Sequence, residues 1–406
     1  MLALDFITDA IYILCTDKHS DILGFMKKRN MKYVNLYIFS YVALGVLLPL
    51  LGQYLKGIGY SGTRIGCITA GGTTVAILAS AFWGSKFNQS MNKKKMLLRM
   101  CAAASLVCVV LFFVKNYFIF LIFFCLLYFF QSPIMAFIDA MAIEDAQPFG
   151  AARKWGAVGF ASGVFFAGKL SQLLGLPVIF FLYSASFLIC ALILLVMSKK
   201  HYNISAASIP RQKIKSEVVL LANRKYIKIL VCAFFMCGSV VANNVYFGFL
   251  YTQGGGSVAG IGLAFLLMAG SEAPFMGWSA RLADRFSLEK TLLAAMCISV
   301  VRFAWYATCP SSALLLVFFF LQGMVNGIML VELIRYVSKV VNPGQLGMAI
   351  SVYYALGSSL STILCQLLGG VLLDFWGTGS VYIFFACMNA VGVIIYIVGK
   401  LYRNGA

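Results

Sequence analysis

The chain has 406 residues, 62% hydrophobic and only 11% charged, with a mean hydropathy of +0.91, whereas roughly a quarter of a water-soluble domain is charged. That balance excludes disordered, fibrous and disulfide-stapled classes and leaves a polytopic membrane protein. With 32 Lys and Arg against 13 Asp and Glu the formal charge is +19, which in a membrane chain is read by location before it is read as a nucleic-acid signal.

In chain order, residues 1–32 form an N-terminal segment in which Asp5, Asp9, Asp17 and Asp21 surround the apolar run Ile11 to Leu14. No basic region precedes that run, so it does not read as a cleaved signal peptide, and Met26 or Met31 is an alternative start. A helix crossing ~30 Å of hydrocarbon at ~1.5 Å per residue needs about 20 apolar residues. Segments of that kind fall at 33–55, 64–86, 96–114, 118–143, 154–174, 178–197, 227–250, 259–280, 291–308, 312–336, 348–372 and 380–400, twelve in all. Short Gly, Pro and Asn punctuation, such as Gly57-Ile58-Gly59-Tyr60 and Gly175-Leu176-Pro177, predicts tight hairpins between them.

With the N-terminus placed in the cytoplasm, 27 of the 32 basic residues fall in inside segments, four fall outside and Arg302 lies within a span. This asymmetry predicts a multi-pass protein of the plasma (cell inner) membrane with both termini cytoplasmic, and accounts for the charge without nucleic acid. The basic segment 198–226 divides the spans six and six, which predicts an N-terminal bundle over 33–197, a cytoplasmic linker, a C-terminal bundle over 227–400 and a cytoplasmic tail over 401–406. Phe123 to Ala140 weakly echoes Phe318 to Leu333, as a duplicated six-helix unit would. The expected fold class is therefore an all-α polytopic membrane protein of two pseudo-symmetric six-helix bundles.

Several signals carry no chemistry. The twelve cysteines form no CxxC pair and mostly lie in apolar stretches. Gly57-Ile-Gly59-Tyr-Ser-Gly62 satisfies GxGxxG but joins two spans. Asn88-Gln-Ser90 and Asn203-Ile-Ser205 are sequons on the inner side. The only histidines, His19 and His201, lie outside the spans, so the sequence offers no metal ligand set, no cofactor motif and no nucleophile-base arrangement, and an enzyme is not expected.

Ala280-Arg-Leu-Ala-Asp284-Arg285-Phe-Ser-Leu-Glu-Lys290, between spans 8 and 9, resembles the inter-helix signature of the major facilitator superfamily. The first-half copy, Gly84-Ser-Lys-Phe-Asn88-Gln89, has Asn and Gln where the family has Asp and Arg. In that family the signature latches cytoplasmic helix ends, which makes Asp284, Arg285 and Asn88 gating-loop candidates. Phe149-Gly150-Ala-Ala-Arg153-Lys-Trp155-Gly156-Ala-Val-Gly159-Phe160 resembles the branch of lactose permease and the nucleoside and phenylpropionate proton symporters. The resemblance implies that Arg153 and Phe160, about two helical turns apart on one face, line a substrate cavity.

Charges within hydrocarbon are expensive and face a partner or a wet cavity. Glu272 in span 8 and Arg302 in span 9 are natural partners, and their arrangement again resembles that branch, implying substrate contact and proton coupling for Glu272 with help from Arg302. In span 10 the resemblance weakens: Gln322 and Val325 stand where the branch has its His and proton-carrying Glu. Glu332 is a weaker coupling candidate, which Arg335 at i+3 could instead neutralise locally. Asp139 is the nearer acid for Arg153, at the inner membrane edge by hydropathy and on the cavity by resemblance. The expected function is a monomeric secondary transporter in a lipid bilayer, moving a small polar organic solute with a proton. A sugar or nucleoside is favoured, with an aromatic acid close behind. The alternative is a non-transporting receptor or scaffold that kept the fold.

Overall fold

The computed structural model describes residues 21–90, 92–145, 149–197, 223–342 and 345–402; the side chains of 21–30, 88 and 149–151 are not described. Most of the linker, the ends of both termini and both histidines lie outside these ranges. The described chain is helical: α1 Asp21–Gly57, α2 Gly62–Gln89, α3 Lys93–Phe113, α4 Tyr117–Gln131 continuing as Ile134–Glu144, α5 Phe149–Leu174 and α6 Val178–Val196. The second half repeats the plan with α7 Arg224–Gln253, α8 Val258–Phe286, α9 Leu288–Ala307 and α10 Ser312–Phe318 continuing as Phe320–Val340.

Among the described residues, eleven continuous stretches are long and apolar enough to cross a membrane, one fewer than the twelve expected. The last, Leu346–Val398, runs 53 residues, about 80 Å at ~1.5 Å per residue and far more than one ~30 Å crossing needs. It breaks at Gly377, whose φ of 79° reverses the chain, so it makes two passes, α11 over 346–376 and α12 over 378–398. The loop expected over 373–379 is thus mostly helix, because Gly377 alone supplies the positive φ that the turn requires. Within α11, Tyr353–Leu360 is a π-helix. In α4, Pro133 lacks the N–H that would continue the ladder, which bends the helix beside Ser132.

Helices α1 to α6 pack as one bundle and α7 to α12 as the other, with α5 on α8, α2 on α11 and α1 on α7 joining them. Side chains such as Leu78, Leu106, Phe118 and Val196 stay exposed on the outer helix faces, as lipid contact requires. The described chain ends share one face, the terminal face. There lysines meet the free carbonyls of helix C-termini: Lys32 donates to Val196 O (3.1 Å), Lys94 to Met197 O and Lys228 to Gly399 O (3.3 Å). On the opposite, distal face Tyr60 Oη donates to Lys115 O (2.9 Å) and Ser312 N–H to Gly254 O (2.9 Å).

The closest backbone approaches between the bundles lie on the distal half. A Cβ on Gly62 would meet Gly370 O at 2.6 Å, one on Gly262 would meet Val164 O at 2.7 Å, and one on Gly52 would meet Val245 O at 3.0 Å. Backbone-to-backbone approach at these three glycines seals α2–α11, α5–α8 and α1–α7. Helices α4 and α10 form no such packed pair among the described residues.

Candidate functional site

The N-bundle side of the cleft is built by close packing of α5 on α1. Gly159 lies against the Ile38 backbone, and a Cβ on Gly156 would meet the Tyr41 ring at 2.7 Å; this approach brings Arg153 down beside α1 and the lower segment of α4. Arg153 Nη1 pairs with Asp139 Oδ2 at 2.9 Å, and Tyr37 Oη donates to Asp139 Oδ1 at 2.8 Å. Tyr41 lies close beside Arg153. The Arg153 side chain is 48% exposed against 19% for Asp139, so the guanidinium reaches the cleft with its charge already balanced. The sequence pairing of Asp139 with Arg153 is thus present as a contact. Phe160, two turns along α5, is half-buried at the edge of the bundle core.

The C-bundle side is organised by α10 against α8. Gly323 and Gly327 seat on the α8 backbone, where a Cβ on Gly327 would meet Glu272 O at 2.6 Å. Asn326, between those glycines, faces Glu272 from α10. Gln322, fully buried one turn earlier, donates to Val240 O at 3.5 Å.

Arg302 does not join them. The expected ion pair with Glu272 is absent: Arg302 is 2% exposed, its Nη2 reaches Ser299 Oγ at 3.4 Å, and its guanidinium lies over the Phe303 and Tyr306 rings at 4.3 and 5.7 Å. Ser299 donates to Asn389 Oδ1 (2.7 Å), and Asn389 Nδ2 donates to Ser239 Oγ (2.6 Å). The reason is directional: Arg302 on α9 faces α7 and α12, whereas the glycine seat turns Glu272 toward α10. Glu332, fully buried, pairs with Arg335 at 3.1 Å on its own helix, the local neutralisation that the i,i+3 spacing offered.

In the gating-loop signature Asp284 and Arg285 are exposed and form no ion pair among the described residues. Arg285 lies over the Phe286 ring at 5.4 Å. Ser287, at φ 77°, caps α9 through a bond accepted from Lys290 N–H (3.4 Å). The Asn88 side chain lies outside the described set. Among described residues no group of His, Cys, Asp and Glu could hold a metal ion.

Three features escaped the sequence reading. Tyr37 and Tyr41, which complete the Arg153–Asp139 cluster, looked like ordinary apolar-span aromatics. Mid-span amides, Gln53, Asn243, Asn244 and Asn326, were available as a signal, because an amide in hydrocarbon needs a polar neighbour. Asp374 joins the two bundles on the distal face through Gly62 and Thr63, and nothing in its own neighbourhood pointed to a partner more than 300 residues away.

Comparison with known proteins agrees with this architecture. Residues 30–384 match the MFS_1 like family. The chain is 34% identical over 367 residues to the maltose permease of Geobacillus stearothermophilus, covering 89% of this chain and 92% of that protein. It is 24% identical to a probable 3-phenylpropionic acid transporter of Escherichia coli K12, over 86% and 91% of the two chains. Among solved structures the nucleoside transporter NupG superposes with a TM-score of 0.81 at 14% identity, covering 92% of this chain and 99% of that one. A D-xylose-proton symporter superposes at 0.68 and 12%, covering 93% and 97%. Matched over most of its length by family and relatives, the chain belongs to the MFS_1 like family of the major facilitator superfamily and is a membrane transporter, not an enzyme.

Proposed function

We propose that the protein is a proton-coupled symporter of a small neutral polyhydroxyl solute, a sugar before a nucleoside, working by alternating access as one bundle rocks against the other. The observation that carries the substrate class is the balanced Arg153–Asp139–Tyr37 cluster, in which Arg153 stays half exposed. A guanidinium already matched by a carboxylate offers hydrogen-bond donors and acceptors to hydroxyl groups without leaving a charge to neutralise. An aromatic acid would have to draw Arg153 away from Asp139, and Arg302 is walled off behind Phe303 and Tyr306. The likeness to a maltose permease supports the same choice.

Glu272 is the proton site in this reading. Among the described residues no cation pairs with it, so it can gain and lose a proton as its solvation changes. Arg302 contributes positive potential from within the same bundle rather than a contact. The terminal face, which bears the basic helix ends, is cytoplasmic, the bundles span 33–197 and 227–400 around a cytoplasmic linker, and the working unit is a monomer. Asp284, Arg285 and Asn88 act where the terminal face closes.

The test is a thermal-shift screen of the purified protein against sugars, nucleosides and aromatic acids, followed by counterflow and pH-gradient-driven uptake of the hit in proteoliposomes. A stabilising sugar taken up with its proton supports the assignment. A stabilising carboxylate replaces it with the aromatic-acid reading, and ligand binding with no counterflow makes the chain a receptor.

A further inference from the structure

Asp374 stands in the last turn of α11 on the distal face, and its carboxylate belongs to a helix of the other bundle. Its Oδ1 accepts from Gly62 N–H at 2.5 Å, and its Oδ2 accepts from Thr63 N–H at 2.7 Å and from Thr63 Oγ1 at 2.6 Å. Ser61 also reaches it. Gly62 and Thr63 open α2, and the first N–H groups of a helix have no partner within it. The cap that α2 supplies for itself is long: Ser61 Oγ accepts only Arg64 N–H, at 3.3 Å. Asp374 thus caps α2 in trans, adding negative charge at the positive end of the helix dipole.

The surroundings are shaped for this contact. A Cβ on Gly62 would meet Asp374 Oδ1 at 2.9 Å as well as Gly370 O at 2.6 Å, so glycine is required for the carboxylate to seat. The turn that carries Asp374 is pinned by Ser380, whose hydroxyl donates to Gly377 O (2.7 Å) and Leu372 O (3.0 Å). A cavity of about 310 Å³ beside it, lined by Lys56, Tyr60, Gln253 and Thr378 among others, opens next to the carboxylate.

The pseudo-equivalent interface lacks the device. Where the last turn of α11 carries Asp374, that of α5 carries Leu173 and Leu174, and α8 is capped by its own Ser257, whose hydroxyl accepts Gly260 N–H at 3.2 Å. Both interfaces close through glycine, but only α2–α11 carries a charged cap between bundles.

We infer that Asp374 is a distal-gate latch, a positioning residue whose trans cap on α2 holds the transporter closed on the distal face, and whose release accompanies opening of that face. The inference rests on the alternating-access reading above. Rocking the bundles apart must break all three bonds, leaving the α2 amides and the carboxylate to water, so the latch biases the resting equilibrium toward the state open on the terminal face.

Hydrogen exchange by mass spectrometry on the full-length protein in nanodiscs tests this without any substrate, so failure of the solute assignment would leave the result intact. In Asp374→Ala, exchange should rise at the start of α2 and also at the distal α5–α8 contact around Gly168 and Gly262, which Asp374 does not touch, by about tenfold as the equilibrium shifts. Thr63→Val, which removes one bond and keeps the shape, should move the same peptides in the same direction by less and guards against misfolding of the first variant. Exchange that rises only in the first turn of α2 would make Asp374 a helix cap and no latch, and unchanged exchange at α5–α8 in both variants would overturn the proposal.

Discussion

The two walls of the cleft use their charges differently. On the N-bundle side Arg153, Asp139 and Tyr37 form a closed, balanced set with the guanidinium still half exposed. On the C-bundle side the charges are dispersed: Glu272 has no ion-pair partner among the described residues, Arg302 is sealed under aromatic rings, and Glu332 is neutralised along its own helix. A balanced cluster suits recognition of a neutral solute, because nothing in it needs to titrate. A carboxylate with no cation paired to it suits proton exchange, because its charge state can follow its surroundings. On the proposed reading, the two bundles divide recognition and coupling between them.

The largest expected effect breaks the coupling side. Glu272→Gln should abolish uphill accumulation in proteoliposomes under an imposed pH gradient, and any surviving exchange should lose its pH dependence. Continued concentration of solute against a gradient in that variant would return coupling to another acid. On the recognition side, Arg153→Lys should weaken ligand affinity by about tenfold, or ~1.4 kcal/mol, because an ammonium cannot reproduce the planar fork that meets Asp139 and solute together. Near wild-type affinity in a binding titration would reduce Arg153 to bulk positive charge.

Phe160→Ala should cost less, about three- to tenfold in affinity, in line with ~0.5–1.5 kcal/mol for an aromatic contact, with coupling unchanged. Glu332→Gln sharpens the comparison from the other end. Accumulation should stay largely intact, and thermal unfolding should change by no more than ~1 kcal/mol, because its partner Arg335 is 42% exposed and can return to water. Loss of accumulation in this variant would place the proton on α10 instead.

Much of this was legible along the chain. Hydropathy located the passes within a few residues, since a span needs only length and apolarity, and the Glu332–Arg335 pair followed from one helical turn. The Arg153–Asp139 contact was readable as a candidate pair across a short connection, although Glu144 and Asp145 lie closer along the chain. Legibility failed where the outcome depended on helix rotation. Glu272 and Arg302 lie 30 residues apart on adjacent helices, a spacing that permits a pair, but the glycines of α10 turned Glu272 away from α9.

By itself the sequence determined that this is a membrane protein of many helices, because backbone groups in hydrocarbon must be satisfied within each segment, and that its excess charge gathers on one face. Tertiary structure alone decided which polar residues meet. Side-chain partners across bundles depend on how closely backbones approach at glycines such as Gly62, Gly159 and Gly327, and on how each helix is rotated about its axis. The capping of α2 by Asp374 exists only because two helices more than 300 residues apart touch at backbone distance, a proximity that no local pattern encodes.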